Sequence, residues 1–230
     1  MLAELEELLA VAPPEASRHD YAAAIIEDNV LRKQTLSTRR LTNQRLGELY
    51  GLDPALPLFR VLRKLWDFDE EGRPLLAILC ALARDPLLRS TADRILSLQP
   101  GAELVRTVYS QTIRSVVGDR LNDAVLDKVA RNTASSWTQS GHLEGRVRKV
   151  RRRVHPTVGS VVLALWLGGL EGHGGGALLT TFWTRVLDAS GDPLVPMVLR
   201  ARQMGLVRAR IGGGVVEIDP RPVDPALKGP

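Results

Sequence analysis

His142-Leu143-Glu144-Gly145-Arg146-Val147-Arg148-Lys149-Val150-Arg151-Arg152-Arg153 is the stretch on which the reading of this chain turns. Six of the eight residues from Arg146 onward are cations, and Glu144 is the only acid close by. Leu143, Val147, Val150 and Val154 alternate with the charges well enough for two short strands turning at Glu144-Gly145-Arg146. Upstream, Ser140-Gly141 separates this hairpin from a helical pattern. Asn122 suits the N-cap of that helix, and Val125, Leu126, Val129, Ala130, Thr133 and Trp137 line one side of it. A helix followed by a short basic hairpin is how a winged helix-turn-helix meets nucleic acid. Arg146, Arg148, Lys149, Arg151, Arg152 and Arg153 are therefore expected to face phosphates, where clustered cations release condensed counterions. The competing reading is a solvated basic loop.

The C-terminal segment repeats this grammar. Residues 158–170 and 177–188 read as strongly apolar helices joined by Gly172-His173-Gly174-Gly175-Gly176. Asp192 can cap a third helix running through Met197, Leu199 and Met204, with Gly205 ending it. Residues 206–211, a Gly212-Gly213-Gly214 turn and residues 215–219 then make a hairpin. The tail from Pro220 to Pro230 holds four prolines and is expected to be extended or disordered.

The N-terminal half has a helical period throughout. Leu2, Leu5, Leu8 and Leu9 mark an amphipathic helix stopped by Pro13-Pro14. Residues 35–50 follow, with Leu36, Leu41, Leu46 and Leu49 toward a core and Arg39, Arg40 and Arg45 outward. Residues 58–66, 74–84, 86–98 and 102–117 complete the set, with no strand pattern among them. The expected fold class is mainly α: a helical bundle over 1–118, a winged-helix-like module with a basic hairpin over 119–156, and a second winged-helix-like unit over 157–230.

Charge supports a polyanionic partner. The net charge is +5, but residues 1–30 hold seven acids against Arg18 alone, leaving +11 on residues 31–230. Arg32, Lys33, Arg39, Arg40 and Arg45 form a second basic group interleaved with Thr35, Ser37, Thr38, Thr42 and Asn43, which can donate to phosphate oxygens. Alternatively these arginines pair with acids of the N-terminal helix or with Glu27-Asp28. Aromatics make up 4 %, and the four tryptophans sit in apolar patterns, which favours duplex over single-strand recognition.

Enzyme signatures fail one by one. The four histidines have neither the spacing nor the cysteine partners of a zinc site. His142 and His155 flank the basic hairpin and can be turn residues or phosphate contacts. His173-Gly174-Gly175-Gly176 has no Gly-x-Ser-x-Gly partner and no P-loop Lys-Ser/Thr. His19-Asp20 near Glu27-Asp28 suggests solvated acids before it suggests a metal nuclease. Cys80, the single cysteine, lies in an apolar run, so no internal disulfide is possible and a reducing compartment is favoured. No secretory signal opens the sequence, and the longest strongly apolar run, residues 158–170, falls short of the roughly 20 residues of a membrane span. The expectation is a cytoplasmic, non-enzymatic protein without cofactor or metal.

Asn29-Val30-Leu31-Arg32-Lys33, Ser37-Thr38-Arg39-Arg40, the 58–66 helix, the 75–85 run, and Arg131-Asn132-Thr133-Ala134-Ser135-Ser136-Trp137 followed by Gly141-His142-Leu143 together resemble the BrxA-like accessory proteins of BREX phage-defence systems. The resemblance spans residues 29–145. It implies a small, mostly helical, non-enzymatic protein that binds double-stranded DNA beside a methyltransferase, a phosphatase-like protein and a large ATPase. The descriptions of members as inner-membrane proteins find no support in this hydropathy. Two other roles stay open: a protein–protein scaffold using the apolar 158–188 region, and a sequence-specific repressor reading bases with Arg131, Asn132 and Gln139.

Overall fold

The computed structural model describes residues 1–224 and 226. Its helices are α1 (Leu2–Val11), α2 (Arg18–Ile26), α3 (Leu36–Tyr50), α4 (Pro57–Phe68), α5 (Arg73–Arg84), α6 (Pro86–Ser90), α7 (Ala92–Leu96), α8 (Arg106–Val117), α9 (Asp123–Gln139), α10 (Val158–Leu170), α11 (Phe182–Val186) and α12 (Val195–Gln203). Two antiparallel hairpins accompany them, β1 (Leu143–Glu144) with β2 (Val150–Arg151) and β3 (Arg208–Gly212) with β4 (Val215–Asp219). The fold is mainly α, as expected.

The most apolar stretch of the sequence becomes the central helix. α10 is buried on all sides from Gly159 to Gly168, so it has no solvent face to make polar. It packs on α4 and α5 from the first half of the chain and on α11 and α12 from the second. Thr157 and Ser160 form a capping box at its start. Buried Asp69, at the end of α4, reaches the same place. Its Oδ2 accepts from Thr157 Oγ1 at 2.6 Å and from the Gly159 amide at 2.8 Å, and its Oδ1 from the Gly72 amide at 3.1 Å. A carboxylate there satisfies amides that the helix start leaves unpaired and meets the positive end of the helix dipole.

A single apolar core crosses the boundaries expected near 118 and 156. Polar joints reinforce it. Arg60 on α4 donates through Nε and Nη2 to buried Asp224, both at 3.1 Å, and Lys64 Nζ donates to the carbonyl of Val223 at 3.0 Å. Pro220 and Val223 are buried. Residues 220–224 are thus docked on α4, which corrects the expected disordered tail for that part; residues 225 and 227–230 lie outside the described residues.

Several elements differ from the sequence reading. Residues 86–98 break into α6 and α7 at Thr91, whose hydroxyl turns back to the Leu88 carbonyl at 2.7 Å and accepts from Trp137 Nε1 at 2.9 Å. The helix expected over 102–117 begins only at Arg106, because residues 101–104 run extended along β2. The Gly101 amide donates to Arg151 O, the Arg151 amide to Ala102 O, and the Leu104 amide to Lys149 O. In α3 the buried face is Thr42, Leu46 and Tyr50, whereas Leu36 and Leu41 are exposed. α2, started by a Ser17–Asp20 capping box, went unrecognised.

The C-terminal half repeats one order of elements. α7, the 101–104 segment, α8, α9 and the β1–β2 hairpin come first. α10, a 3-10 turn over Gly175–Thr180, α11, α12 and the β3–β4 hairpin follow. In each set the segment after the first helix lies against the second hairpin strand. The first does so by backbone hydrogen bonds, the second by packing Gly175 and Gly176 on Val216.

Candidate nucleic-acid interface

The basic hairpin is framed from both ends. Its two pairs are Leu143 with Arg151 and Glu144 with Val150, so the connecting loop is 145–149 and not a tight turn at 144–146. Gly145 adopts φ +104°, and a Cβ there would overlap the Arg148 carbonyl oxygen, so only glycine closes this loop. Lys149 Nζ donates to Thr138 Oγ1 at 2.7 Å, which fastens the loop to the last turn of α9. Partial burial lowers the Lys149 pKa. Val147, counted from the sequence in the strand alternation, stands at the apex and is 96 % exposed. The five-residue loop carries it out of the strand alternation.

Lys149 aside, the five arginines divide into three groups. Arg151 is 2 % exposed and belongs to the interior. It sits opposite Leu143 on the core-facing side of the hairpin, so its guanidinium donates to the carbonyls of Ile95, His142 and Arg152 and pairs with Asp188. This corrects its assignment to phosphate. Arg148 and Arg152 are exposed but paired with the protein's own acids, Arg148 Nε with Glu103 at 2.6 Å and Arg152 Nε with Glu144 at 2.5 Å. Their remaining guanidinium edges face water. Arg153 is exposed, and its one hydrogen bond among the described residues is to the Asp188 carbonyl, at 3.4 Å. Arg146 is exposed and has no hydrogen bond or ion pair among the described residues.

His142 is also internal, which removes it as a phosphate contact. Its Nε2 lies 2.7 Å from the Val186 carbonyl, which can only accept, so Nε2 carries the proton and Nδ1 faces the Ser140 hydroxyl at 2.8 Å. The ring meets Trp137 edge-on. Burial pushes its pKa down to about 4, against smaller upward pulls from the Val186 carbonyl and Asp188. His155 is exposed.

The second basic group also splits. Arg39 braces the loop before α3, donating to the carbonyls of Ile26 at 3.1 Å and Lys33 at 3.4 Å. Lys33 pairs with Glu4 at 3.1 Å. For these two residues internal pairing prevails over an outward role. Arg40 and Arg45 are exposed without a partner among the described residues. Arg45 lines a cleft of about 330 Å³ with Asn132, Ser135 and Gln139. The structure therefore brings Arg45 beside the exposed stripe of α9, formed by Lys128, Arg131, Asn132, Ser135 and Gln139. Lys128 and Ser135 were not singled out in the sequence, although their spacing opposite the apolar face was there to find them.

The second hairpin supplies arginines that sequence reasoning also passed over. On β3, Ala209 and Ile211 pack toward the core, while Arg208 and Arg210 are exposed. Asp219 and Glu217 stand directly across from them and reduce the local charge. Arg200 and Arg202 lie exposed at the end of α12.

Asp20 is occupied by its capping box, and no group of three or more metal-ligating side chains occurs among the described residues. Cys80 is buried, which pushes its thiol up to about 12. Among the described residues no helix is long and apolar enough to cross a membrane. No protein-family model matches the chain, and no curated protein and no solved structure matches it either.

Proposed function

We propose that this chain is a non-enzymatic, cytoplasmic accessory protein that binds double-stranded DNA through the backbone, largely without regard to sequence. The observation that carries this reading is the hairpin after α9, which holds Arg146, Arg148, Arg152 and Arg153 on the surface within eight residues while Gly145, Lys149 and Arg151 fix its base. The order helix, strand-like segment, helix, helix, hairpin supports a winged helix-turn-helix, with α9 as the groove-facing helix and the β1–β2 loop as the wing. A similar order in α10 to β4, with a 3-10 turn in place of the strand-like segment, supports a second such unit. Exposed ion pairs such as Arg148–Glu103 and Arg152–Glu144 are worth about 0–1 kcal/mol, so phosphates can take over these guanidinium groups at small cost. Arg45, beside the exposed stripe of α9, extends this surface, and exposed Arg40 on the same helix as Arg45 is a further candidate contact.

Four phosphate contacts give an expected slope of about −3.6 for log K against log salt on duplex DNA. Fluorescence anisotropy with a random-sequence duplex at several salt concentrations measures it. Replacing Arg146, Arg148, Arg152 and Arg153 together by glutamine is expected to abolish binding and leave thermal unfolding unchanged. Undiminished binding by that variant overturns the proposal. The resemblance to BrxA-like proteins supports placing the chain in a BREX-like defence system, beside other proteins of that system. Co-purification with the system's methyltransferase or ATPase tests that placement.

A further inference from the structure

Resting on the duplex-binding reading, we infer that the apex of the first hairpin, Arg146-Val147, enters the minor groove and gives the protein a preference for narrow, A·T-rich grooves. Val147 is 96 % exposed, more than any other large apolar side chain among the described residues. A β-branched residue gains nothing from such a position in a loop, where glycine, asparagine or aspartate serve the turn better. Single exposed apolar residues are ordinary on a surface. This one differs in standing at the tip of the loop between two exposed arginines, Arg146, which has no partner among the described residues, and Arg148, tied back to Glu103.

The tip is also aimed. The loop follows α9 within a few residues and is joined to its last turn by the hydrogen bond from Lys149 Nζ to Thr138 Oγ1, which ties its position to that helix. With α9 in the major groove, which is wide enough for a helix, a rigid loop beside its C-terminal end lies over the flanking groove. The minor groove is about 6 Å wide, too narrow for the hairpin itself but wide enough for the side chains at its apex. A guanidinium is drawn to the strong negative potential of a narrow A·T groove, and an apolar neighbour packs on its walls or wedges at a flexible step. The N2 amino group of guanine obstructs both. Groove width, not base identity, is then what the tip senses, so the preference coexists with otherwise sequence-independent binding.

Three duplexes of equal length separate the possibilities: A·T-rich, G·C-rich, and the G·C-rich sequence with inosine replacing guanine. Inosine keeps the major-groove face of guanine and removes only the minor-groove amino group. Anisotropy titrations at one salt concentration are expected to show the A·T and inosine duplexes bound about fivefold more tightly than the G·C duplex. The double variant Arg146→Gln/Val147→Ser, both positions lying on the exposed loop, is expected to bind all three equally. Equal binding of all three by the unaltered protein overturns the inference and leaves duplex binding standing. So does an inosine duplex that behaves like G·C, or a preference that survives the double variant. Failure to bind any duplex removes both proposals.

Discussion

Replacing Arg151 by glutamine should unfold this protein more readily, even though Arg151 lies in the most basic stretch of the chain. The guanidinium donates to three carbonyls and pairs with Asp188, whose own side chain is mostly buried and also accepts from the Val154 amide at 2.9 Å. Glutamine is shorter and uncharged. It leaves Asp188 as a buried anion without its cation and leaves the Ile95 and His142 carbonyls short of a donor. Breaking a buried pair from one side costs about 3–5 kcal/mol. In a chain of this length that corresponds to a fall in Tm of roughly 6–20 °C. Urea denaturation with the slope held constant measures the loss. Arg153→Gln, two residues on and exposed, is the control and should leave the midpoint unchanged. The double variant Arg151→Met/Asp188→Asn should recover part of the loss, because the penalty lies in the uncompensated charge. An Arg151→Gln protein within about 1 kcal/mol of the unaltered one refutes the internal assignment, since ordinary surface substitutions stay near that level.

Two further outcomes test the packing around the site. His142 is held neutral when folded and binds a proton near pH 6.5 when unfolded, so its contribution is fully present above that value and is lost as pH falls toward 4. From this group alone stability should be about 2 kcal/mol lower at pH 5 than at pH 8, and His142→Asn should lose one proton's worth of that slope in urea titrations at several pH values. A Cβ at Gly159 would overlap the Asp69 carboxylate, so Gly159→Ala should cost about 1–3 kcal/mol. The same substitution should cost less in an Asp69→Ala background, and a double-mutant cycle with no coupling would show that the contact is not what excludes the side chain.

Much of this architecture was legible from local pattern. The amphipathic periods of α1 and α9, the cap at Asn122, and the glycine turn of the second hairpin each depend on residues a few positions apart. The apolar run at 158–170 likewise read as a helix, but that it is buried on all sides, and so not open as the interface a scaffold would use, only the packed chain shows. The extended 101–104 segment was not legible, because its partner lies nearly fifty residues away and Pro100-Gly101 offers no strand period of its own.

The candidate site divides along the same line. Sequence located the cluster of cations and the hairpin that carries them, since composition and short-range alternation are properties of neighbouring residues. It could not sort Arg146 from Arg151, or Arg45 from Arg39, because each pair has the same chemistry and nearly the same surroundings in sequence. What separates them is the arrival of groups from elsewhere in the chain: Asp188, Glu103 and the Ile95 carbonyl at the hairpin, and the Ile26 carbonyl at α3. A guanidinium that meets a carboxylate and carbonyls inside the fold is held there, and one that meets only water remains free for a partner. That distinction is electrostatic and depends on three-dimensional proximity, so only the folded chain makes it.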